Sequence, residues 1–109
     1  MLQKGTIVYV PFPFKEVSGG KMRPAVVLAT PNADEIVLCM VTSVEQTDSW
    51  VLPLTTGDLA SGKMPYAACF IRPNRLFTGD PAYAKSVIGE LGPLKIRELS
   101  QKLATLLAL

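Results

Sequence analysis

Histidine is missing from this sequence of 109 residues. Its absence excludes nucleophile pairs such as Ser-His and Cys-His, and it removes the most frequent general base. It also removes the commonest metal-ligating side chain. No pair of acidic residues has the spacing expected for metal or glycosidase chemistry. We therefore expect neither a metal nor a cofactor.

Cysteines and long apolar runs are also scarce. Cys39 and Cys69 lie in apolar stretches without a Cys-x-x-Cys pair, so we interpret both as buried small hydrophobic residues. The longest apolar runs fall far short of the ~20 residues needed to cross a bilayer. Because no signal peptide is visible, we expect a cytoplasmic protein without a membrane segment.

Net charge and aromatic content are both low. The sequence has 11 Lys and Arg against 9 Asp and Glu, so only a local concentration of cations would indicate nucleic-acid binding. Aromatic residues make up 7%, which argues against an adaptor for proline-rich peptides, whose sites are lined by aromatic rings. The length and the 49% hydrophobic content predict one globular domain, residues 1–109.

Short apolar segments separated by turn residues make up most of the chain. Strands are expected at residues 6–12, 24–29, 36–41, 50–54 and 68–72. The turn residues at 31–34 predict a hairpin between the second and third of these strands. Residues 55–65 have loop composition, and Pro73-Asn74 is expected to end the strand before it. Five or six short strands favour a barrel or a sandwich.

The C-terminal segment has the periodicity of a helix. Its apolar residues are Leu94, Ile96, Leu99, Leu103, Leu106 and Leu107. This spacing marks one face of a helix that begins at Pro93 and is capped by Gly92. Packing against the sheet is the favoured interpretation of this face, and a partner surface is the alternative.

Arg23 directly precedes Pro24 and an apolar strand, and it follows Gly19-Gly20. Its guanidinium is a planar fork of donors that suits phosphate oxygens. Pro24 biases Arg23 toward an extended backbone, and the glycines permit a ligand to approach closely. Lys15 and Lys21 add positive charge nearby. The alternative is an arginine at a strand edge that pairs with a surface acid.

Thr42 and Ser43 follow the apolar strand 36–41. Their hydroxyls are suited either to donate to phosphate oxygens or to cap a turn. If strands 24–29 and 36–41 form a hairpin, the start of the first lies beside the end of the second. Arg23 and Thr42 would then converge at one end of the sheet.

A second Arg-Pro pair stands in the segment Arg72-Pro73-Asn74-Arg75. It provides either a second phosphate contact or a turn with solvated cations. Trp50 is suited to stack on a base, although a single tryptophan is more often a core or interface anchor.

Five stretches together resemble the PemK/MazF family of toxins from type II toxin–antitoxin modules. They read GTIVYVPFPF, GGKMRPAVVLA, IVLCMVTS, FIRPNRLFTGD and VIGELGPLKIRELSQKL. The PFPF stretch resembles a PemK-like sub-branch, and the resemblance covers about residues 5–107. It implies a mainly β, small SH3-like barrel of five to six short strands with a C-terminal α-helix, usually assembled as a homodimer.

The resemblance also implies an activity. Members of this family are metal-independent, sequence-selective endoribonucleases that cut single-stranded RNA, often mRNA, by attack of the 2′-hydroxyl to leave a 2′,3′-cyclic phosphate. The family's catalytic Arg and Thr fall on Arg23 and Thr42. The residues expected to bind RNA are Ser43, Lys15, Lys21, Arg72 and Arg75. The implied protein partner is a cognate antitoxin with an acidic, disordered tail.

One departure from the family concerns the proton acceptor. Some members place an Asp in the strand after the long loop, but this sequence reads AACFIRP there, with Cys69 about where the sub-branch often has Ser. Glu16 and Asp48 are possible substitutes, although no spacing supports either. The alternative function is therefore a catalytically silent RNA- or protein-binding barrel of the same family.

Overall fold

A computed structural model describes residues 2–12 and 21–109. Within these ranges the chain forms seven β-strands and one α-helix. These elements are β1 (Thr6–Phe12), β2 (Lys21–Asn32), β3 (Glu35–Thr42), β4 (Leu52–Leu54), β5 (Leu59–Gly62), β6 (Cys69–Gly79), β7 (Ser86–Leu91) and α1 (Pro93–Leu107). The strands form one curled antiparallel sheet in the order β4-β6-β3-β2-β1-β7-β5. The mainly β fold with a C-terminal helix is confirmed, with seven strands in place of five or six.

The central strands are buried on both faces of the sheet. One face carries Val26, in the same buried cluster as Leu99 of α1. The other face carries Ala25 and Leu38, against which Phe77 of β6 packs. Because both faces exclude water, these strands are continuous apolar runs instead of alternating apolar and polar residues.

The predicted hairpin is confirmed as β2 and β3. Ala25 pairs with Met40, and Asn32 pairs with Glu35 across a two-residue turn. The Asn32 carboxamide oxygen accepts a hydrogen bond from the Asp34 N–H at 2.9 Å, which stabilises this turn. The register places the start of β2 beside the end of β3.

Strand β6 does not end at Pro73-Asn74 as the sequence predicts, but continues to Gly79. Along β3, Cys39 pairs with Leu76 whereas its neighbour Met40 pairs with Arg72. The three intervening residues of β6 therefore form a bulge. Proline is tolerated in a bulge because no ladder hydrogen bond requires its missing N–H.

Two further strands were not expected from the sequence. Residues 59–62, within the predicted loop 55–65, form β5 and pair with β7, which was not predicted at all. Gly62 has a φ of 88° and lies against Gly89, where a Cβ would collide with the carbonyl oxygen of Ile88. Glycine, which usually indicates a loop, here permits two backbones to approach closely.

Helix α1 begins as predicted, with Gly92 at the N-cap and Pro93 at the first helical position. Leu99 in the centre of the apolar face is buried, which confirms core packing there. Leu94 and Leu107, near the two ends, are 76% and 72% exposed. In the part of the chain described, no helix combines the length and apolar character needed to span a membrane.

Candidate nucleic-acid interface

Arg23 and Thr42 line the same two cavities at one end of the sheet. The register of β2 and β3 explains this, because both residues stand two positions beyond the Ala25–Met40 pair. The larger cavity, of about 210 Å³, is also lined by Arg72 and Arg75. The convergence expected from the sequence is therefore present, and the second Arg-Pro segment joins it.

The backbone at Arg23 is fixed by its neighbours. Arg23 pairs with Val10 of β1, and Pro24 restricts the chain on its C-terminal side. The Arg23 side chain is half-buried and its Nε atom is fully buried. A guanidinium keeps its charge even when it is buried, so this side chain brings a permanent positive charge to both cavities.

Thr42 makes the turn contact considered from the sequence and also lines both cavities. Its Oγ1 accepts a hydrogen bond from the Val44 N–H at 3.1 Å, which stabilises the turn after β3. A hydroxyl that accepts in this way still has its O–H for donation. Ser43 is exposed and lines the smaller cavity, of about 90 Å³. Both hydroxyls therefore lie where an anion beside Arg23 would meet them.

Arg72 reaches the larger cavity from the opposite side of β3. It pairs with Met40, and its Nη2 lies 3.5 Å from Asp48 Oδ2. Its Nε is buried and has no hydrogen-bond partner among the described residues. The other oxygen of Asp48 accepts hydrogen bonds from the N–H groups of Trp50 and Val51, at 2.9 and 3.2 Å. Asp48 is thus a turn anchor that also contacts a cavity arginine.

The larger cavity is strongly basic. Three guanidinium groups line it, and the described lining residues include no carboxylate. Such a group of fixed cations is suited to a polyanion, because guanidinium forks match phosphate oxygens. Across residues 2–12 and 21–109, no three or more His, Cys, Asp or Glu side chains come together as a metal-binding group.

The remaining residues singled out in the sequence lie elsewhere. Lys21 is exposed at the start of β2 and lines neither cavity. Trp50 is half-buried in the turn before β4 and also lines neither cavity. Lys15 and Glu16 lie outside the described residues. Lys21 is therefore at most a peripheral contact, and Trp50 is a poor candidate for base stacking at these cavities.

Sequence reasoning missed two tyrosines at the smaller cavity. Tyr9 of β1 and Tyr66, in the bend before β6, both contribute to its lining. Tyr9 resembles any other residue of an apolar strand. Tyr66 stands alone between Pro65 and two alanines, and an isolated aromatic residue in a loop of small residues is a signal that could have found it.

Both cysteines are buried, as the sequence indicates. Burial raises the pKa of the Cys39 thiol to about 12. Burial also raises the pKa of the Cys69 thiol, which donates a hydrogen bond to the Tyr66 carbonyl oxygen at 3.8 Å. Although Cys69 lines the smaller cavity, its thiol stays protonated at neutral pH and is a poor base.

Solved structures of similar fold come from bacterial toxins. A mycobacterial endoribonuclease in complex with its cognate antitoxin has a TM-score of 0.74 at 14% identity, covering 100% of this chain and 97% of that chain. The MazE–MazF complex of Deinococcus radiodurans has a TM-score of 0.70 at 22% identity, covering 96% and 93%. The Mycobacterium tuberculosis toxin MazF-mt6 has a TM-score of 0.71 at 13% identity, covering 95% and 97%. At these low identities, the TM-scores show a shared fold and nothing further.

The family is established by sequence. A search of curated proteins found no match. The model of the PemK-like, MazF-like toxins of type II toxin–antitoxin systems, by contrast, matches residues 3–107, nearly the whole chain. Together with the confirmed fold and the resemblance of the five sequence stretches, this match shows that the chain belongs to the PemK-like, MazF-like toxin family.

Proposed function

We propose that this protein, as one domain over residues 1–109, is a sequence-selective endoribonuclease that cuts single-stranded RNA, including mRNA, without a metal ion. The observation that supports it most is the cavity lined by Arg23, Thr42, Arg72 and Arg75. One side of this cavity offers a hydroxyl donor, and three guanidiniums supply charge. This is the arrangement that stabilises negative charge on a phosphate undergoing substitution.

In the proposed reaction, the RNA supplies its own nucleophile. The 2′-oxygen forms a bond to the adjacent phosphorus, and the bond from phosphorus to the 5′-oxygen of the next nucleotide breaks. The products are a 2′,3′-cyclic phosphate and a 5′-hydroxyl. Arg23 stabilises the extra charge of the phosphorane, and Thr42 donates a hydrogen bond to a phosphate oxygen. No step is assigned to a metal.

The proton of the 2′-hydroxyl passes to water in this scheme. Neither cavity has a carboxylate among its described lining residues, and the Cys69 thiol is a poor base. Asp48 has both oxygens engaged, one by backbone N–H groups and one by Arg72. A second water-derived proton then neutralises the 5′-oxygen as it leaves.

The remaining cations bind the RNA backbone on either side of the cut. Arg72 and Arg75 contact neighbouring phosphates, and Ser43 donates to the phosphate or sugar at the smaller cavity. Lys21 and Lys15 contribute long-range attraction, which is sequence-independent and sensitive to salt.

A cognate antitoxin is the proposed protein partner in the cytoplasm. The structures of similar fold include an endoribonuclease in complex with its cognate antitoxin. An acidic, disordered tail on such a partner would be complementary in charge to the cavity arginines and would exclude RNA from them. We expect the toxin to be a homodimer, which light scattering of the purified protein will measure.

The decisive experiment is cleavage of a long unstructured RNA in EDTA by wild-type protein, Arg23→Ala and Arg97→Ala. Arg97 is the matched control because it is an exposed arginine of α1 that lines neither cavity. We expect discrete cuts by wild type and Arg97→Ala, and a rate about 10²–10³ lower for Arg23→Ala, the cost of losing one preorganised donor. The new 3′ ends should resist phosphatase until acid opens the cyclic ester.

The same experiment tests the alternative of a catalytically silent binding barrel. The absence of a carboxylate from the described cavity linings is the observation that favours it. If folded wild-type protein at high concentration binds RNA without cutting it, the nuclease proposal is wrong and the binding function stands. Binding by Arg23→Ala should then be weakened.

A further inference from the structure

Tyr66 is a large aromatic residue that the fold leaves exposed beside the cavities. Its side chain is 57% exposed, yet it lines the smaller cavity together with Arg23, Thr42 and Ser43. An exposed ring that borders a pocket of charged and hydroxyl groups is suited to a ligand that combines an anion with a flat ring. Single-stranded RNA presents this combination, a phosphate with a flat base attached nearby.

The segment that carries Tyr66 is anchored on both sides. Met64 is buried in the core, and its N–H donates to Thr56 Oγ1 at 3.0 Å. Cys69 is buried at the start of β6, and its thiol donates to the Tyr66 carbonyl oxygen at 3.8 Å. Because the thiol stays protonated, this contact is retained at neutral pH. Tyr66 is therefore presented from a fixed backbone.

The size of the cavities decides how a nucleotide would lie. Their volumes of about 210 and 90 Å³ are below the ≈300–1,000 Å³ of pockets that enclose a drug-sized ligand. A phosphate would fit among the arginines, but a base attached to it would project toward the mouth. Among the described aromatic residues, Tyr66 is the exposed one that lines the smaller cavity, which shares Arg23 and Thr42 with the larger cavity.

We propose that Tyr66 stacks on the nucleobase next to the scissile phosphate. This contact positions the RNA strand relative to the catalytic side chains. This inference rests on the proposed nuclease function. Stacking tolerates every base because each has a π-face, so Tyr66 supplies affinity and register rather than a hydrogen-bonded readout of base identity. The hydroxyl of Tyr66 has no part in the contact.

The test uses a short single-stranded RNA containing one mapped cut site. In two further versions, an abasic ribose that retains its 2′-hydroxyl replaces the nucleotide on one or the other side of the cut. Wild type, Tyr66→Ala and Tyr66→Phe are compared for Kd, KM and kcat, with Leu94→Ala as the control. Leu94 is exposed and lines neither cavity.

We expect Tyr66→Ala to weaken binding of the intact RNA about 5- to 150-fold, the range for one stacked base, mainly through KM. Tyr66→Phe and Leu94→Ala should stay within about threefold of wild type, because neither removes the ring. On one of the two abasic RNAs, wild type and Tyr66→Ala should become equal. That result is specific to stacking, since a structural defect would persist whichever base is absent.

The other outcomes separate the two proposals. If wild type cuts and Tyr66→Ala loses the same factor on all three RNAs, or loses nothing, the stacking inference is wrong and the nuclease proposal stands. If Tyr66→Ala affects only the binding of an antitoxin, this ring belongs to a protein contact and stacking on RNA is wrong. If wild type neither cuts nor binds RNA, both proposals fall.

Discussion

Asp48 and Asp58 lie on either side of β4 and make similar local contacts. Each also contacts a cationic side chain, but the surroundings of these two side chains differ. Asp48 accepts a hydrogen bond from the Trp50 N–H at 2.9 Å and lies 3.5 Å from an Arg72 nitrogen. Asp58 accepts one from the Thr55 N–H at 2.8 Å and lies 3.9 Å from the Lys95 ammonium. In each case, one carboxylate both stabilises a turn and contacts a cation.

The two cations differ in what else they contact. Lys95 donates to the Pro53 carbonyl oxygen at 2.9 Å and to Glu98 at 2.7 Å, so its contacts tie α1 to the sheet. Arg72 instead lines the basic cavity, and its buried Nε is unpaired within the described chain. The pair of Asp58 and Lys95, on the helix side of the molecule, therefore has a structural role. For the pair of Asp48 and Arg72, on the cavity side, we propose a role in ligand binding.

The largest expected effect concerns the helix side. Leu99→Ala should lower the free energy of unfolding by about 2–5 kcal/mol, because Leu99 is the buried residue of α1 and belongs to the main core cluster. Leu94→Ala, at an exposed position of the same helix, should stay within about 0.5 kcal/mol of wild type. Urea unfolding measures both. RNA cleavage per folded molecule should be unchanged in both variants. Loss of activity by folded Leu99→Ala would contradict a purely structural role for the helix side.

The next effect compares the two cations directly. Arg72→Ala should reduce kcat/KM for RNA roughly 10- to 100-fold, the loss of one charge-assisted contact. It should also make the dependence of log K on log salt shallower by about 1. Lys95→Ala should lower the free energy of unfolding by about 1 kcal/mol without changing kcat/KM of the folded protein. Equal losses of kcat/KM in Arg72→Ala and Lys95→Ala would contradict the proposal that only Arg72 contacts RNA.

The third prediction follows from burial of Cys39 in the same core cluster as Leu99. The native thiol has a pKa of about 12 against its ordinary value of 9.0, so the unfolded chain releases this proton at lower pH. The free energy of unfolding should therefore fall as pH rises from 9 toward 12, by about 1.4 kcal/mol per unit from this group. Cys39→Ala should show a correspondingly shallower decline, and parallel curves for the two proteins would contradict it.

Local signals explain which parts of the fold could be predicted. The β2–β3 hairpin follows from a turn at Asn32 and two apolar runs, and the helix follows from Gly92, Pro93 and the leucine spacing. The bulge in β6 and the pairing of β5 with β7 could not be predicted, because proline and glycine usually interrupt strands. There, tertiary pairing overrides local composition.

The candidate site likewise contains residues that could be predicted from the sequence and residues that could not. Arg23 and Thr42 could be brought together from sequence because one hairpin register relates them. The contact of Arg72 with Asp48 joins residues 24 positions apart in the sequence, so no local pattern indicates it. Tyr66 lies between β5 and β6, outside any regular element, so its place at the smaller cavity leaves no periodic pattern in the sequence.

The smallest expected effect tests Asp48 itself. Asp48→Asn retains an oxygen that accepts from the Trp50 N–H, but it removes the charge beside Arg72. Both partners are partly exposed, so such a pair contributes about 0.2–1 kcal/mol. We expect cleavage to fall at most about fivefold, mainly through KM, whereas Asp58→Asn should leave the kinetics unchanged.

A double-mutant cycle shows whether Asp48 acts through Arg72. In an Arg72→Ala background, Asp48→Asn should have no further kinetic effect, because the group that it orients is gone. Additive losses would instead mean that Asp48 meets the RNA or the transferred proton directly. The water-mediated proton transfer proposed above would then have to be replaced by one through this carboxylate, and the two aspartates flanking β4 would differ in chemistry as well as in partner.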